Sequence, residues 1–224
     1  MKPKLRGLIF DLDGTLVELK FQVSEAKAAV IEDLRRLGFD TSRISDGEPT
    51  QMILDKVAVQ LQEQRRGDSF STLRARADRI LNKFEMQAFK STKLLPGVKS
   101  ILGYLKDHGF KLGIVTNNGT VPSKMMIKRL ALSDSFDVVI TRDDVRRMKP
   151  AGEGIKKAMR RLGLRSHQCL YIGDSYVDVL AARDAGVKIV SLMRRDSAGK
   201  ILRYSPDYLI TSLKQLPLLL QSHQ

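Results

Sequence analysis

Tryptophan is absent from the 224 residues, cysteine occurs once and histidine three times. The single Cys169 cannot close an internal disulfide. It sits in the apolar stretch QCLYIG, where a small buried strand residue is expected rather than a nucleophile. His108, His167 and His223 show no metal-ligand spacing and fall at expected turns or in the tail. A zinc site, a thiol protease and a histidine-based triad are therefore poorly supported. No apolar run approaches the ~18 residues that cross a bilayer. The basic start, Met1 to Arg6, runs directly into LRGLIFDLDG, which is too short and too soon interrupted for a signal peptide. The expectation is a soluble, cytoplasmic protein without a membrane partner.

What is present is a hydrophobic fraction of 42%, enough for a sizeable core, on a chain whose length suits one or two domains. Thirty-nine Lys and Arg face 25 Asp and Glu, a net charge of +14. Such a field attracts anions generally: phosphorylated metabolites, nucleotides, nucleic acid or an acidic membrane surface. The basic residues are spread in pairs, from Arg35-Arg36 through Arg65-Arg66, Arg146-Arg147, Lys156-Lys157 and Arg160-Arg161 to Arg194-Arg195. No aromatic side chains interleave with them as a stacking platform, so solvated helix faces account for most pairs.

Short apolar runs at 8–10, 112–116, 138–141, 170–173 and 189–192 read as strands. Helical patterns separate most of them. Val98, Ile101, Leu102 and Leu105 share one face between Pro96-Gly97 and Gly109, and Ile155, Met159 and Leu162 precede Gly163. Strand–helix alternation of this kind predicts an α/β fold with a parallel sheet covered on both faces. Residues 19–92 break the rhythm with three amphipathic stripes and no strand. Ala26, Val30, Leu34 and Leu37 form the first, ending at Gly38. Leu54, Val57, Ala58 and Leu61 form the second, and Leu73, Ala77, Ile80, Leu81, Phe84 and Ala88 the third. The turns between them contain Asp46-Gly47 and Gly67-Asp68. A helical domain at 19–92 thus interrupts an α/β domain made of 1–18 and 93–224.

The sharpest chemical signal is DLDGT at 11–15, directly after an apolar strand. Ligands of open α/β sheets gather at the carboxyl ends of strands. Two carboxylates one residue apart suit metal-assisted phosphoryl transfer: one oxygen of Asp11 can attack phosphorus while the other holds a divalent cation. A calcium loop needs glycine at its sixth position and a carboxylate at its twelfth, whereas here the glycine is fourth and Gln22 is twelfth. The second signal is GDSYVD at 173–178, also after an apolar strand. Asp174 and Asp178 can face one opening if a helix starts there, although Asp174 alone also suits a helix N-cap. Thr116-Asn117-Asn118 ends a third strand, where a hydroxyl and backbone amides can bind phosphate oxygens or simply form a turn. Lys149 by itself reads as solvated. A carboxylate-rich site that admits an anion nevertheless needs a fixed cation.

Taken in order, DLDGT (11–15), VTNN (115–118), MKP (148–150) and GDSYVDVLAARDAG (173–186) resemble the haloacid-dehalogenase-like superfamily, and its phosphoglycolate-phosphatase-like branch in particular. The resemblance covers nearly the whole chain. It implies a Rossmann-like core with an inserted α-helical cap. It also implies a Mg²⁺-dependent phosphatase acting on a small phosphorylated metabolite through an aspartyl-phosphate. On that resemblance Asp11 is the nucleophile, and Asp13 protonates the leaving alcohol and then activates water. Thr116 and the Asn117 backbone bind phosphate, and Lys149 steadies phosphate and Asp11. Magnesium is held by Asp11, the Asp13 carbonyl and Asp174, with Asp178 in support. The presence of Asp13 favours a phosphatase or a phosphomutase, since related dehalogenases lack this second aspartate and related ion-pumping ATPases carry threonine there. A phosphomutase acting on a sugar phosphate is the nearest alternative, and a non-catalytic nucleic-acid-binding protein the alternative of another class. Phosphoglycolate, sugar phosphates, nucleotides and pyrophosphate all fit the motifs. One departure is Gly152, where the family often has proline, and greater freedom behind Lys149 is expected from it. Arg43, Arg65, Arg66 and Arg74 are candidate substrate contacts of the cap, each read first as solvated surface.

Overall fold

A computed structural model describes residues 5–18, 22–63, 69–194 and 198–221. Six strands form one parallel sheet: β1 (Gly7–Phe10), β2 (Lys111–Val115), β3 (Val138–Ile140), β4 (Cys169–Gly173), β5 (Lys188–Leu192) and β6 (Tyr208–Ile210). Their order across the sheet is β3-β2-β1-β4-β5-β6. The order reverses between β1 and β4, and that reversal opens the crevice in which such sheets hold ligands. All five strands read from the sequence are present, displaced by at most a residue or so. β6 was not foreseen: it is an edge strand of only three residues, too short to show a strand period in the sequence.

Period-2 alternation on β1 sorts the core into two layers. Leu8 and Phe10 point to one face, packed under α4 (Val98–Asp107), α5 (Thr120–Arg129) and α9 (Leu216–Gln221). Ile9 points to the other, with Tyr171, beneath α6 (Glu153–Leu162) and α7 (Tyr176–Ala185). A short α8 (Ala198–Leu202) completes that side.

The helical insert lies between β1 and β2 as α1 (Val23–Arg36), α2 (Thr50–Glu63) and α3 (Phe70–Ala88), with its own apolar core. Met148, from the loop after β3, plugs into that core. The two chain segments joining insert to sheet run side by side. Val17 and Leu94 form an antiparallel bridge, Glu18 N–H donates to Lys93 O at 2.8 Å, and Leu95 N–H donates to Leu16 O at 3.0 Å. Two of the stripes are rotated slightly from expectation. On α2 the buried positions include Ile53 rather than Ala58, and on α3 they are Leu73, Ala77, Leu81 and Glu85. Arg65, Arg66, the Gly67-Asp68 turn, Arg195 and His223 lie outside the described residues. Among the described residues no helix is long and apolar enough to cross a membrane.

Candidate active site

Asp11 leaves the carboxyl end of β1 with its N–H bonded to Ile172 O at 2.8 Å, so the central strand and β4 jointly fix it. The chain then turns sharply, Gly14 N–H donating to Val17 O at 2.8 Å. Gly14 has φ +80°, and a Cβ there would stand 2.0 Å from an Asp174 oxygen. Glycine is therefore required twice over, for the left-handed backbone and for the approach of the second motif.

Lys149 arrives from the loop between β3 and α6. Its Nζ lies 2.7 Å from Asp11 Oδ1, 2.6 Å from Asp178 Oδ1 and 3.2 Å from the Tyr171 hydroxyl. Only 5% of Lys149 is exposed. Burial opposes its charge, but the Asp11 and Asp178 carboxylates outweigh that and hold the ammonium protonated well beyond its usual range. The loop is anchored by an amide clamp: Lys149 N–H donates to Asn117 Oδ1 at 3.0 Å, and Asn117 Nδ2 donates to Lys149 O at 3.1 Å. The Asn117 side chain is thereby committed to the lysine loop. The expected freedom at Gly152 is not found. Its N–H donates to Asp184 Oδ2 at 2.6 Å, and a Cβ there would stand 2.6 Å from Ala185 N. Proline has no N–H to donate, and its ring would collide with α7.

The Gly173–Asp178 segment starts α7 as a capping box, with Ser175 as the N-cap; Asp174 is not the cap. Asp178 is fully buried and committed on both oxygens. Oδ1 takes Lys149 and, at 3.0 Å, Tyr171, while Oδ2 accepts from the Ser175 N–H and hydroxyl. Asp11, Asp174 and Asp178 each bring a carboxylate oxygen within 4.8 Å of the others. Crowding of this kind raises carboxyl pKa values. Burial, then the Asp178 charge, lifts Asp174 to about 7. Burial lifts Asp13 to about 6 despite a hydrogen bond from Asn118 Nδ2. Burial also pushes Asp11 up against the pull of Lys149, with Asp178 and Asp174 adding to the push. Hard oxygen donors clustered so closely, with elevated proton affinity, suit a small divalent cation. The residues present fit one.

Asp11, Asp13, Thr116, Asn117, Lys149 and Asp174 line one cavity of about 360 Å³ between sheet and insert. Every residue of the sequence-derived site except Asp178 is among its walls, and Asp178 stands directly behind Lys149. Thr116 is buried, and its Oγ1 accepts the Asn118 N–H at 3.1 Å. The insert contributes Lys27, Leu81 and Glu85. Arg43 is exposed and outside the cavity wall. Arg74 is a strut instead: it holds Asp78 and donates to the Arg142 and Arg146 carbonyls. Sequence reasoning overlooked Asn118, Tyr171, Glu85 and Arg142. Asn118 stood within a quoted motif. Glu85 carried one signal, a carboxylate one helical turn beyond Leu81 on an apolar stripe, and Arg142 another, a place just beyond β3. Cys169 is buried, and burial raises its thiol to about 11, in keeping with a structural residue.

A family model described as "Haloacid dehalogenase-like hydrolase" matches residues 8–192. A phosphoglycolate phosphatase of Photorhabdus laumondii is 29% identical over 215 residues, covering 95% of this chain and 91% of that protein. One from Salmonella typhimurium is 30% identical, with the same 95% and 91% coverage. Among solved structures, a predicted phosphatase from Clostridium acetobutylicum superposes with a TM-score of 0.69 at 22% identity, covering 98% of this chain and all of that one.

Proposed function

Because the chain belongs to the haloacid dehalogenase-like hydrolases, we propose that it is a Mg²⁺-dependent phosphatase that cleaves small phosphate monoesters through an aspartyl-phosphate on Asp11. The observation that carries this reading is the convergence of Asp11, Asp13, Lys149 and Asp174 on one cavity, from the ends of two strands, β1 and β4, and the loop between β3 and α6.

Asp11 attacks phosphorus, the P–O bond to the alcohol breaks, and the alkoxide takes the proton held by Asp13. Asp13, now a carboxylate, removes a proton from water as that water attacks the phosphorus of phospho-Asp11, which returns Asp11 and releases phosphate. The raised pKa of Asp13 suits both duties, because it can hold and release a proton close to neutral pH. The Asn118 amide fixes its carboxylate orientation. Lys149 supplies a fixed positive charge beside the nucleophile, while Thr116 and the Asn117 peptide receive the phosphoryl oxygens. A bound Mg²⁺, held by Asp11, Asp174 and the Asp13 carbonyl with Asp178 behind them, would supply further charge neutralisation to the phosphoryl group. The insert, as a cap over 19–92, excludes bulk water from this chemistry.

Relatives named phosphoglycolate phosphatase extend over nearly the whole chain, so phosphoglycolate is the first substrate to test. The purified protein should release inorganic phosphate from an aryl phosphate and from phosphoglycolate when Mg²⁺ is present, and lose that activity with a chelator. Hydrolysis that survives exhaustive chelation would contradict the metal-dependent reading. A phosphoenzyme that persists in water and turns over only on adding a sugar phosphate would assign a mutase instead.

A further inference from the structure

Arg142 is 1% exposed, in a molecule that carries 39 basic residues, most of them on its surface. A guanidinium is rarely buried unless every side of it is paired. Here the partners come from one stripe of α3, at positions i, i+4 and i+7. Asp78 Oδ1 lies 2.9 Å from Nε as an ion pair, Asn82 Oδ1 accepts from Nη2 at 2.6 Å, and Glu85 Oε1 accepts from Nη1 at 2.6 Å. Glu85 is itself 3% exposed. The same arginine, which stands in the core just after β3, also binds the neighbouring turn. Its Nη1 donates to Asn117 O at 2.7 Å, and its backbone N–H donates to Asn118 O at 2.9 Å. Glu85 does likewise, for its Oε2 accepts the Gly119 N–H at 2.9 Å. The turn 117–119 is thus held at both ends by an ion pair whose carboxylate belongs to the insert.

We propose that Arg142 and Glu85 are positioning residues that set turn 117–119 in its phosphate-binding geometry only while α3 is docked. Phosphoryl affinity and closure of the insert are then one equilibrium. If α3 moved away, Gly119 N–H would lose its acceptor, and Arg142, which holds Asn117 O, would lose all three of its partners on that helix. Leaving a buried charge unpaired is costly, so intermediate positions are disfavoured and the pair behaves as a two-state latch. The inference rests on the reading of Thr116 and Asn117 as phosphate ligands.

The test compares Glu85→Ala, Glu85→Gln and Arg147→Ala. Arg147 also joins core to insert, through an exposed bridge to Asp55 at 2.6 Å, but does not touch the turn. The measurements are kcat/KM, inhibition by inorganic phosphate, and amide exchange of the peptide spanning 117–120. Glu85→Ala should lower kcat/KM and weaken phosphate inhibition by about 10- to 100-fold, and accelerate exchange in that peptide. Glu85→Gln, which retains an oxygen acceptor for Gly119, should recover part of each. Arg147→Ala should leave all three unchanged. A Glu85→Ala protein that is less stable yet inhibited by phosphate as strongly as wild type, with unaltered exchange, overturns the proposal. If that variant does not fold, Asn82→Ala carries the same comparison with smaller changes. A wild type that hydrolyses no phosphomonoester defeats the phosphatase reading instead, and the exchange comparison still decides the latch.

Discussion

Asp174 shows how a single buried side chain couples protonation to the stability of the protein. Its pKa of about 7 exceeds the ordinary 3.8 because burial and the Asp178 charge disfavour the carboxylate. The folded state therefore keeps a proton that the unfolded chain gives up, across roughly pH 4 to 7. With fewer protons on the unfolded chain, stability falls as pH rises through that window, and Asp13, at about 6, adds in the same direction. A divalent cation bound among these carboxylates would reverse the penalty. Thermal unfolding should accordingly show a Tm that declines from about pH 5 to pH 8 in chelator and recovers with Mg²⁺. Asp174→Asn should flatten the decline, raise the chelated Tm near pH 8 by a few degrees and abolish the Mg²⁺ response. A Tm that rises with pH in chelator would contradict this assignment.

Residues of this kind were legible in the sequence because each closes an apolar strand with a carboxylate, hydroxyl or turn glycine, and strand ends are where parallel sheets place ligands. Glu85 and Arg142 were not. Their contact spans 57 positions, and each was hidden by its neighbours, Glu85 between Phe84 and Ala88 on a stripe read as wholly apolar, Arg142 beside Asp143 and Asp144 in a polar turn. No local pattern encodes which cation of many turns inward.

Among the elements, the start of α7 joins fold to chemistry most directly. Ser175 caps the helix and also fixes Asp178, which holds Lys149 beside Asp11. Ser175→Ala should remove about 1 kcal/mol of stability, a Tm loss of about 2–4 °C in a chain of this size. Because Lys149 loses its backing, kcat should fall more than KM rises. Ser175→Thr, which keeps a capping hydroxyl, should restore both. Loss of stability with unchanged kcat would separate the cap from the site. Helix punctuation was readable here from Gly163 after α6 and Gly109 after α4. What the residues could not fix was the rotation of α2 and α3 about their axes, since one position of drift still leaves a convincing apolar stripe. The departure at Gly152 was misread for a related reason. Glycine suggests freedom until the helix packed against it is known.

For the molecule as a whole, the proposed phosphatase chemistry gives the +14 charge and the carboxylate cluster complementary roles. The surface field would draw anions toward the protein, and the cavity, rich in carboxylates, would accept one only where Lys149 and a cation neutralise its floor. The proposed mechanism turns on whether Asp11 becomes phosphorylated. The direct measurement is acid quenching during turnover of a radiolabelled phosphomonoester with Mg²⁺, followed by peptide mapping. The account predicts a hydroxylamine-labile label on Asp11, approaching one per chain when Asp13→Asn slows the second step with an aryl phosphate whose good leaving group needs no proton, and neither label nor turnover in a folded Asp11→Asn protein. Label on any other residue, or hydrolysis by Asp11→Asn at the wild-type rate, would contradict it.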